Sequence, residues 1–524
     1  MIGTPSPSLL GETLEKSCKH FYNFETERFS TMQTLKKLAL ALGISEKDIP
    51  SPEMPIKDIV YNSRKADSGV IFVCITGAVA DGHRYAADAY AKGARVFVCE
   101  KPLALPEDAI IFRVENTRRA LALLSAAIFD HPENKLRIIG VTGTKGKSTI
   151  CETIRHILSE NGIPAASIGT VGVRIGDTLT PTGNTTPESY ELFRIFSEMV
   201  EKGVRYAVIE VSSQGVKLDR IYGIRFFAAI MTNLSEDHIG GAEHPDFEDY
   251  KYCKKQLFER CDHAIFNRDD PYFEEFYAVG HAEKKTYSIT ENADYAAKAI
   301  VPTVTEKGFG NSFICTHEHE HTDIFVPFPG KFSVCNALAA IAAAHLAGIS
   351  PEQAADVLPT VRVGGRFEIV PTDIEGAVFV IDYAHNGESL AAALQALRKY
   401  RPERLIVLFG SVGGRTEIRR RELGAAASEY ADFSILTSDN PDKEPPLQII
   451  ADIEAHMQNA SYTVIPDRKE AIEYAVSIAK SGDIILLAGK GHETYQLIDG
   501  KKVPFSEREI VAKACLERFS QTLL

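Results

Sequence analysis

The chain has 524 residues and a formal net charge of −13, room for about three domains that each bury a core. So acidic a balance attracts no phosphate backbone outside local patches, which argues against nucleic acid as a partner. Its nine cysteines (Cys18, Cys74, Cys99, Cys151, Cys253, Cys261, Cys315, Cys335 and Cys515) are odd in number, scattered and without a C-x-x-C pair. Reduced thiols and a cytoplasmic setting are therefore expected, rather than a disulfide framework or a zinc site.

No run approaches the roughly eighteen apolar residues of a membrane span. Glu12, Glu15, Glu25 and Glu27 occupy the place of a signal peptide's basic and apolar regions, so no membrane partner and no export are expected. Residues 1–31 show no amphipathic period and read as an appended, flexible extension. Leu35, Leu38, Leu40 and Leu42 then give a helix-like start, with Met32 as a candidate functional start. Loss of solubility or activity on truncation to Met32 would argue against that reading.

Residues 32–134 read as a small α/β domain. Strands are expected at 59–61, 70–75 and 94–99, with helices at about 85–92 and over 117–130. The loops at Asn62-Ser63-Arg64 and from Gly77 to Gly82 are able to hold an anionic ligand, yet Arg64 reads equally well as a solvated charge and Asp81-Gly82 as a plain turn. His131-Pro132-Glu133-Asn134 is the expected linker.

Residues 135–361 open on the stretch around which the chain is organised. The apolar run Ile138-Ile139-Gly140-Val141 leads into Thr142-Gly143-Thr144-Lys145-Gly146-Lys147-Ser148-Thr149 and then a helix-like segment. This reads as a phosphate-binding loop for a nucleoside triphosphate: the glycines turn backbone N–H groups to an anion, Lys147 supplies a point charge, and Ser148 can ligate Mg²⁺ at a helix N-terminus. The match to G-x-x-x-x-G-K-[ST] is imperfect, because Val141 holds the first position.

Alternating helices and strands follow, with strands near 166, at 206–211 and at 227–232 and a helix over 187–202, so a largely parallel sheet is expected. In such a sheet Glu210, at the end of one strand, and His238, just after the next, should face the same crevice as the loop, where each can ligate a metal. The segment 250–258 reads as a helix whose Lys251, Lys254 and Lys255 form a solvated basic face. His317-Glu318-His319-Glu320-His321 alternates as an exposed hairpin would, with three histidines on one side.

Residues 362–524 restart the α/β pattern, with strands at 378–382, 405–410, 434–437 and 484–488 and a polar turn at 411–417.

The order of motifs resembles the Mur ligase family of peptidoglycan precursor synthesis, and within it the MurE type, over about residue 32 to the C-terminus. The resemblance is carried by Asn62-Ser63-Arg64, Asp81-Gly82-His83, the 142–149 loop, Asn184-Thr185-Thr186-Pro187, Glu210-Val211-Ser212-Ser213, and Asn233-Leu234-Ser235-Glu236-Asp237-His238. Downstream it continues through Asn336-Ala337-Leu338-Ala339-Ala340, Gly365-Arg366-Phe367-Glu368, Asp382-Tyr383-Ala384-His385-Asn386, Asp439-Asn440-Pro441 and Gly489-Lys490-Gly491-His492-Glu493. It implies three α/β domains: an N-terminal UDP-binding domain, a central P-loop ATPase-type parallel sheet and a C-terminal Rossmann-like domain.

The resemblance also implies residue roles. Ser63 and Arg64 would bind the UDP end of UDP-MurNAc-L-Ala-D-Glu, and Asn184, Thr185, Thr186, Ser212 and Arg220 its muramoyl-peptide part. ATP would meet Gly143, Thr144, Lys145, Gly146, Lys147, Ser148 and Thr149, with Asn336 at adenine, Asp382 at ribose and Arg366 at the phosphates. Ser148 and Glu210 would hold one Mg²⁺, and His238 with Lys254 a second. Lys254 would then be a carbamate formed with CO₂, which replaces the solvated-face reading. Lys147, Glu210, His238 and Lys254 would be the catalytic set.

An acyl phosphate on the D-glutamate carboxylate would be attacked by a free diamino acid held by Arg415, Asp439, Asn440, Asp442, Gly489 and Glu493. A monomer is expected. Members that add meso-diaminopimelate carry Asp-Asn-Pro-Arg where this chain has Asp439-Asn440-Pro441-Asp442, and a carboxylate there favours L-lysine. Meso-diaminopimelate stays open through Lys443 or Arg415. Two other readings are a folylpolyglutamate synthetase-like ligase and a non-catalytic nucleotide-binding partner of a cell-wall complex.

Overall fold

A computed structural model describes residues 32–77, 80–236, 239–240, 243–305, 308–414, 417–457 and 460–522. The proposed extension, residues 1–31, lies outside them, as do His238 and Arg415. The chain divides into two compact units, with the boundary in sequence between Ala120 and Leu121. The first holds a four-stranded parallel sheet of Asp58–Val60, Val70–Val73, Val96–Cys99 and Ile110–Arg113, and a short antiparallel pair, Gln33–Thr34 with Pro55–Ile56. Val70–Val73 and Val96–Cys99 are buried at every position, as parallel strands covered on both faces must be.

The second unit contains two large sheets and a two-stranded antiparallel one, Tyr495–Ile498 with Lys501–Pro504. The larger has eleven strands, and its middle is parallel: Ala165–Gly169, Tyr206–Glu210, Arg137–Thr142, Phe226–Met231, Cys261–Asn267 and Glu283–Ser288 lie side by side in that order. One edge is antiparallel through Gly172–Ile175 and Thr178–Thr180, the other through the long hairpin Tyr295–Thr305 and Gly308–His317 and then Glu320–Val326. The helices Lys147–Glu160 and Lys331–Leu346 pack together on one face, where Ile150, Ile154 and Ile157 meet Leu338, Ile341 and Ala342 in one core. The smaller sheet has six strands in the order Glu368–Val370, Val378–Asp382, Asp483–Ala488, Arg404–Phe409, Phe433–Leu436, Tyr462–Val464, all parallel except the first pair.

Packing does not stop where the smaller sheet begins. Phe309 and Phe328, from the larger sheet's side, are part of the core formed by Val380, Leu394 and Leu397, and the Tyr400 hydroxyl donates to the Gly310 carbonyl.

The expected row of three histidines does not form. The chain reverses at Glu318-His319, so His317 pairs with Glu320 and His321 faces Thr316. His317 turns inward, stacked on Tyr295 with centroids 4.2 Å apart and its Nδ1 donating to the Asp294 carbonyl, while His319 and His321 stay exposed. No helix among the described residues is long and apolar enough to cross a membrane.

Candidate functional site

Arg137–Thr142 lies between Tyr206–Glu210 and Phe226–Met231, with Val141 opposite Glu210 and Thr142 opposite Met231. The loop that follows therefore emerges where both neighbouring strands end. A Cβ on Gly143, whose φ is +138°, would lie 1.9 Å from Thr232 Oγ1, so only glycine lets the loop pass this close. The segment after Phe226–Met231 clasps the loop. Thr232 Oγ1 donates to the Lys145 carbonyl at 2.7 Å, Asn233 Oδ1 accepts the Lys145 N–H at 2.9 Å, and the Thr144 N–H donates to the Asn233 carbonyl at 2.8 Å. The helix Lys147–Glu160 begins without a side-chain cap, which leaves its first N–H groups available to an anion.

Two lysines meet at this loop. Lys147 Nζ donates to the carbonyls of Gly143 and Thr144 at 2.8 and 2.9 Å. Lys254, from the helix Phe247–Lys255, donates to Gly143 at 2.8 Å and is 1% exposed, its ammonium 4.4 Å from the Tyr250 ring centre. The solvated basic face is thus not what this helix presents: Lys251 is also buried and paired with Glu248 and Glu275, and Lys255 pairs with Glu275.

Glu210 is 2% exposed. Its carboxylate accepts the Thr170 N–H at 2.8 Å and the Thr170 hydroxyl at 3.2 Å, and a Cβ on Gly169 would sit 2.1 Å from Oε1. Thr170 was not foreseen from sequence, where no pattern links it to a strand end forty residues on. Around Glu210 gather several residues assigned to the sugar-peptide. Thr185 Oγ1 is 3.0 Å from Thr170 Oγ1, Thr186 Oγ1 donates to the Glu210 carbonyl at 2.8 Å, and the Ser212 N–H donates to Thr186 Oγ1 at 3.0 Å. Arg220 donates to the Thr186 carbonyl at 2.9 Å, and Asn184 is exposed on the same loop. Ser148 is buried in the first turn of the loop helix and Thr149 is half-buried beside it. The oxygens of Glu210 and Ser148 are hard donors that fit Mg²⁺, whereas an unmodified Lys254 ammonium is no metal ligand.

The one metal-like cluster among the described residues, His244, Asp249 and Cys253, is taken up by its own bonds. His244 lies 2.7 Å from Asp249 and 2.9 Å from the Ser213 hydroxyl, and Lys217 donates to the same Asp249 oxygen.

Across the second unit, Asn336 lies against the loop: a Cβ on Gly146 would be 2.6 Å from its Oδ1. Asp382 is 6% exposed and accepts the N–H groups of Phe367 and Ala384, each at 2.9 Å; burial pushes its carboxyl up, and the Arg366 charge opposes that. Arg366 itself lies over the Tyr383 ring, 4.9 Å from its centre.

Of the residues assigned to the amino acid, Asp439, Asn440, Gly489 and Glu493 gather around Lys490, for which no role was expected. Lys490 is fully buried, 3.5 Å from Asp439 Oδ1, and donates to Asn440 Oδ1 and Glu493 Oε2 at 2.9 Å each. Asp439 Oδ1 is buried with no hydrogen-bond partner, and a Cβ on Gly489 would press on its other oxygen. Two carboxylates against one ammonium leave a net negative pocket. Asp442 faces elsewhere. With φ +51°, it bonds the hairpin of Tyr495–Ile498 and Lys501–Pro504: its N–H donates to the Leu497 carbonyl at 2.9 Å, and its Oδ1 accepts the Gly500 N–H at 2.7 Å.

In the first unit, Ser63 and Arg64 form a 3₁₀ turn capped by Asn62, with Arg64 exposed and the Ser63 carbonyl accepting from Lys92 at 2.8 Å. Asp81-Gly82-His83 is a lock: His83 Nδ1 donates to Asp81 at 2.6 Å, its Nε2 accepts the Glu100 N–H at 3.0 Å, and Lys101 donates to Asp81 at 2.6 Å. Those donors hold the Asp81 carboxyl well below the usual range, Lys101 foremost.

Three family descriptions match the chain: "Mur ligase family, catalytic domain" over residues 55–133, "Mur ligase middle domain" over 141–344, and "Mur ligase, glutamate ligase domain" over 365–491. Among curated relatives, UDP-N-acetylmuramoyl-L-alanyl-D-glutamate--2,6-diaminopimelate ligase 1 of Clostridium acetobutylicum is 40% identical over 468 residues, covering 88% of this chain and 95% of that one. The corresponding ligase of Clostridium perfringens is 38% identical over 466 residues, with the same coverage. A solved UDP-N-acetylmuramoyl-L-alanyl-D-glutamate--2,6-diaminopimelate ligase superposes with a TM-score of 0.68 at 29% identity, over 93% of this chain and 100% of the other.

Proposed function

The chain belongs to the Mur ligase family of ATP-dependent acid–amino-acid ligases, in its MurE branch, and from that premise we propose that it joins a diamino acid to the D-glutamate carboxylate of UDP-MurNAc-L-Ala-D-Glu in the cytoplasm. The observation that carries the diamino acid is the buried Asp439 oxygen that accepts no hydrogen bond, in a pocket of net negative charge. A second ammonium on the substrate satisfies both; an amino acid without one leaves that buried oxygen without a hydrogen bond.

In this reading the loop amides and Lys147 hold the ATP phosphates, while Asn336, Arg366 and Asp382 line the rest of the nucleotide's site. Thr185, Thr186, Ser212 and Arg220 steer the dipeptide to the loop, and Ser63 and Arg64 take the UDP end. Glu210, Ser148, His238 and a carbamylated Lys254 would hold two Mg²⁺. Bound Mg²⁺ offsets charge on the phosphates and on the transferred phosphoryl group. The protein's own part is to align the D-glutamate carboxylate with the γ-phosphate and then to hold the acyl phosphate before the incoming amine.

We favour L-lysine over meso-diaminopimelate, because residue 442 is an aspartate where members that add meso-diaminopimelate carry an arginine, so this position offers no cation to a second substrate carboxylate. The names of the relatives support meso-diaminopimelate as the second reading. Asp439→Asn tests the pocket: the KM for the diamino acid should rise at least tenfold with the KM for ATP within about twofold. An unchanged amino-acid KM would remove Asp439 from the site.

A further inference from the structure

His385 belongs to a motif that the sequence singled out and to which no role has been assigned. Its Nδ1 lies 2.7 Å from the Tyr383 carbonyl. A carbonyl only accepts, so Nδ1 carries the proton, and in the neutral ring Nε2 carries the lone pair. Among the described residues no group hydrogen-bonds Nε2.

The imidazole lies near both the diamino-acid pocket and the cations of the phosphate side. Its ring lies 4.7 Å from the Tyr383 ring, whose surroundings include Glu493 and Asp439 of the diamino-acid pocket, and whose other neighbour is His492 at 5.0 Å. The charges of Lys145 on the phosphate loop, Arg419 and Arg366 also reach it. Burial and those three cations hold the ring down at about 4, so it is neutral at physiological pH. They are also the cations that bound phosphate neutralises, which makes the ring more basic when the acyl phosphate is present.

We propose that His385 Nε2 accepts the proton released when the substrate amine attacks the acyl phosphate. This rests on the ligase reading above. The amino acid arrives as an ammonium and loses a first proton to solvent. The amine nitrogen then bonds to the carbonyl carbon, the carbonyl π pair moves to oxygen, and the second proton passes to His385 Nε2. Collapse breaks the carbon–oxygen bond to phosphate, which leaves with that electron pair and takes the proton back from the imidazolium. The ring is neutral before and after.

Hydroxylamine separates the steps, because it is already unprotonated at neutral pH and attacks acyl phosphates without a base. Wild type and His385→Gln are assayed with ATP, Mg²⁺ and UDP-MurNAc-L-Ala-D-Glu, once with saturating diamino acid and once with hydroxylamine. The variant should lose at least 100-fold in kcat with the amino acid and keep hydroxamate formation within about threefold. Equal loss of both would make His385 a structural or phosphoryl-transfer residue, and loss of neither would make it a bystander. Either result overturns the proposal. No hydroxamate from wild type would instead reject the ligase reading itself.

Discussion

Lys147 and Lys254, carried on different helices, donate to the same carbonyl oxygen, that of Gly143, each at 2.8 Å. Two ammonium groups converging on one buried acceptor repel each other. A carbamate on Lys254 would relieve that: it would keep one N–H for Gly143 and turn the second cation into an anion that attracts Lys147.

Lys254→Arg keeps a charge and a donor but cannot take up CO₂. Turnover should fall at least 100-fold, and ¹³C-bicarbonate should give a carbamate resonance in wild type that the variant lacks. A fully active variant would mean that the amine works unmodified.

Asp442 acts through the hairpin. It engages Leu497, Asp499 and Gly500, while Asn440 and Asp439 bond the same strand through the Leu497 N–H and Gln496 Nε2. Asp442→Ala should therefore raise the amino-acid KM several-fold and make the hairpin amides exchange faster, with the KM for ATP unchanged. Slow exchange retained alongside a raised KM would point instead to direct contact with substrate.

Acid should loosen the fold through two histidines. His385 and His492 are each held at about 4, against an ordinary 6.5, chiefly by burial. Between those values the unfolded chain binds protons that the folded chain does not, so stability rises with pH across the window and is lost as pH falls through it. Each ring contributes on the order of 2 kcal/mol after allowance for partial exposure. The urea midpoint should drop between about pH 7 and about pH 5, and drop less in the double His385→Gln, His492→Gln variant. Equal drops would assign the acid sensitivity to other groups.

The parts of this architecture legible in sequence were those written locally. Gly143, Gly146 and Lys147-Ser148 between a strand and a helix announce the loop, and apolar runs such as residues 206–211 announce buried parallel strands. What stayed hidden depends on contacts distant in sequence. Charge spacing put Lys254 on a solvated face, because nothing local shows that its helix packs against the loop a hundred residues earlier. The alternation at residues 317–321 hid a chain reversal, and the left-handed backbone of Asp442 that turns its carboxylate to Gly500 has no local signature. Phe309 and Phe328 likewise gave no sign that they complete the core of the following sheet.

The most direct test of the ligase reading is phosphate release with ATP, Mg²⁺ and UDP-MurNAc-L-Ala-D-Glu, run in parallel with L-lysine, meso-diaminopimelate and L-ornithine. The account predicts release that requires the sugar-dipeptide and is fastest with L-lysine. Release with meso-diaminopimelate alone would keep the family and reject the specificity argued from Asp442. Release that needs no sugar-dipeptide, or none with any of the three amino acids, would contradict the proposed reaction.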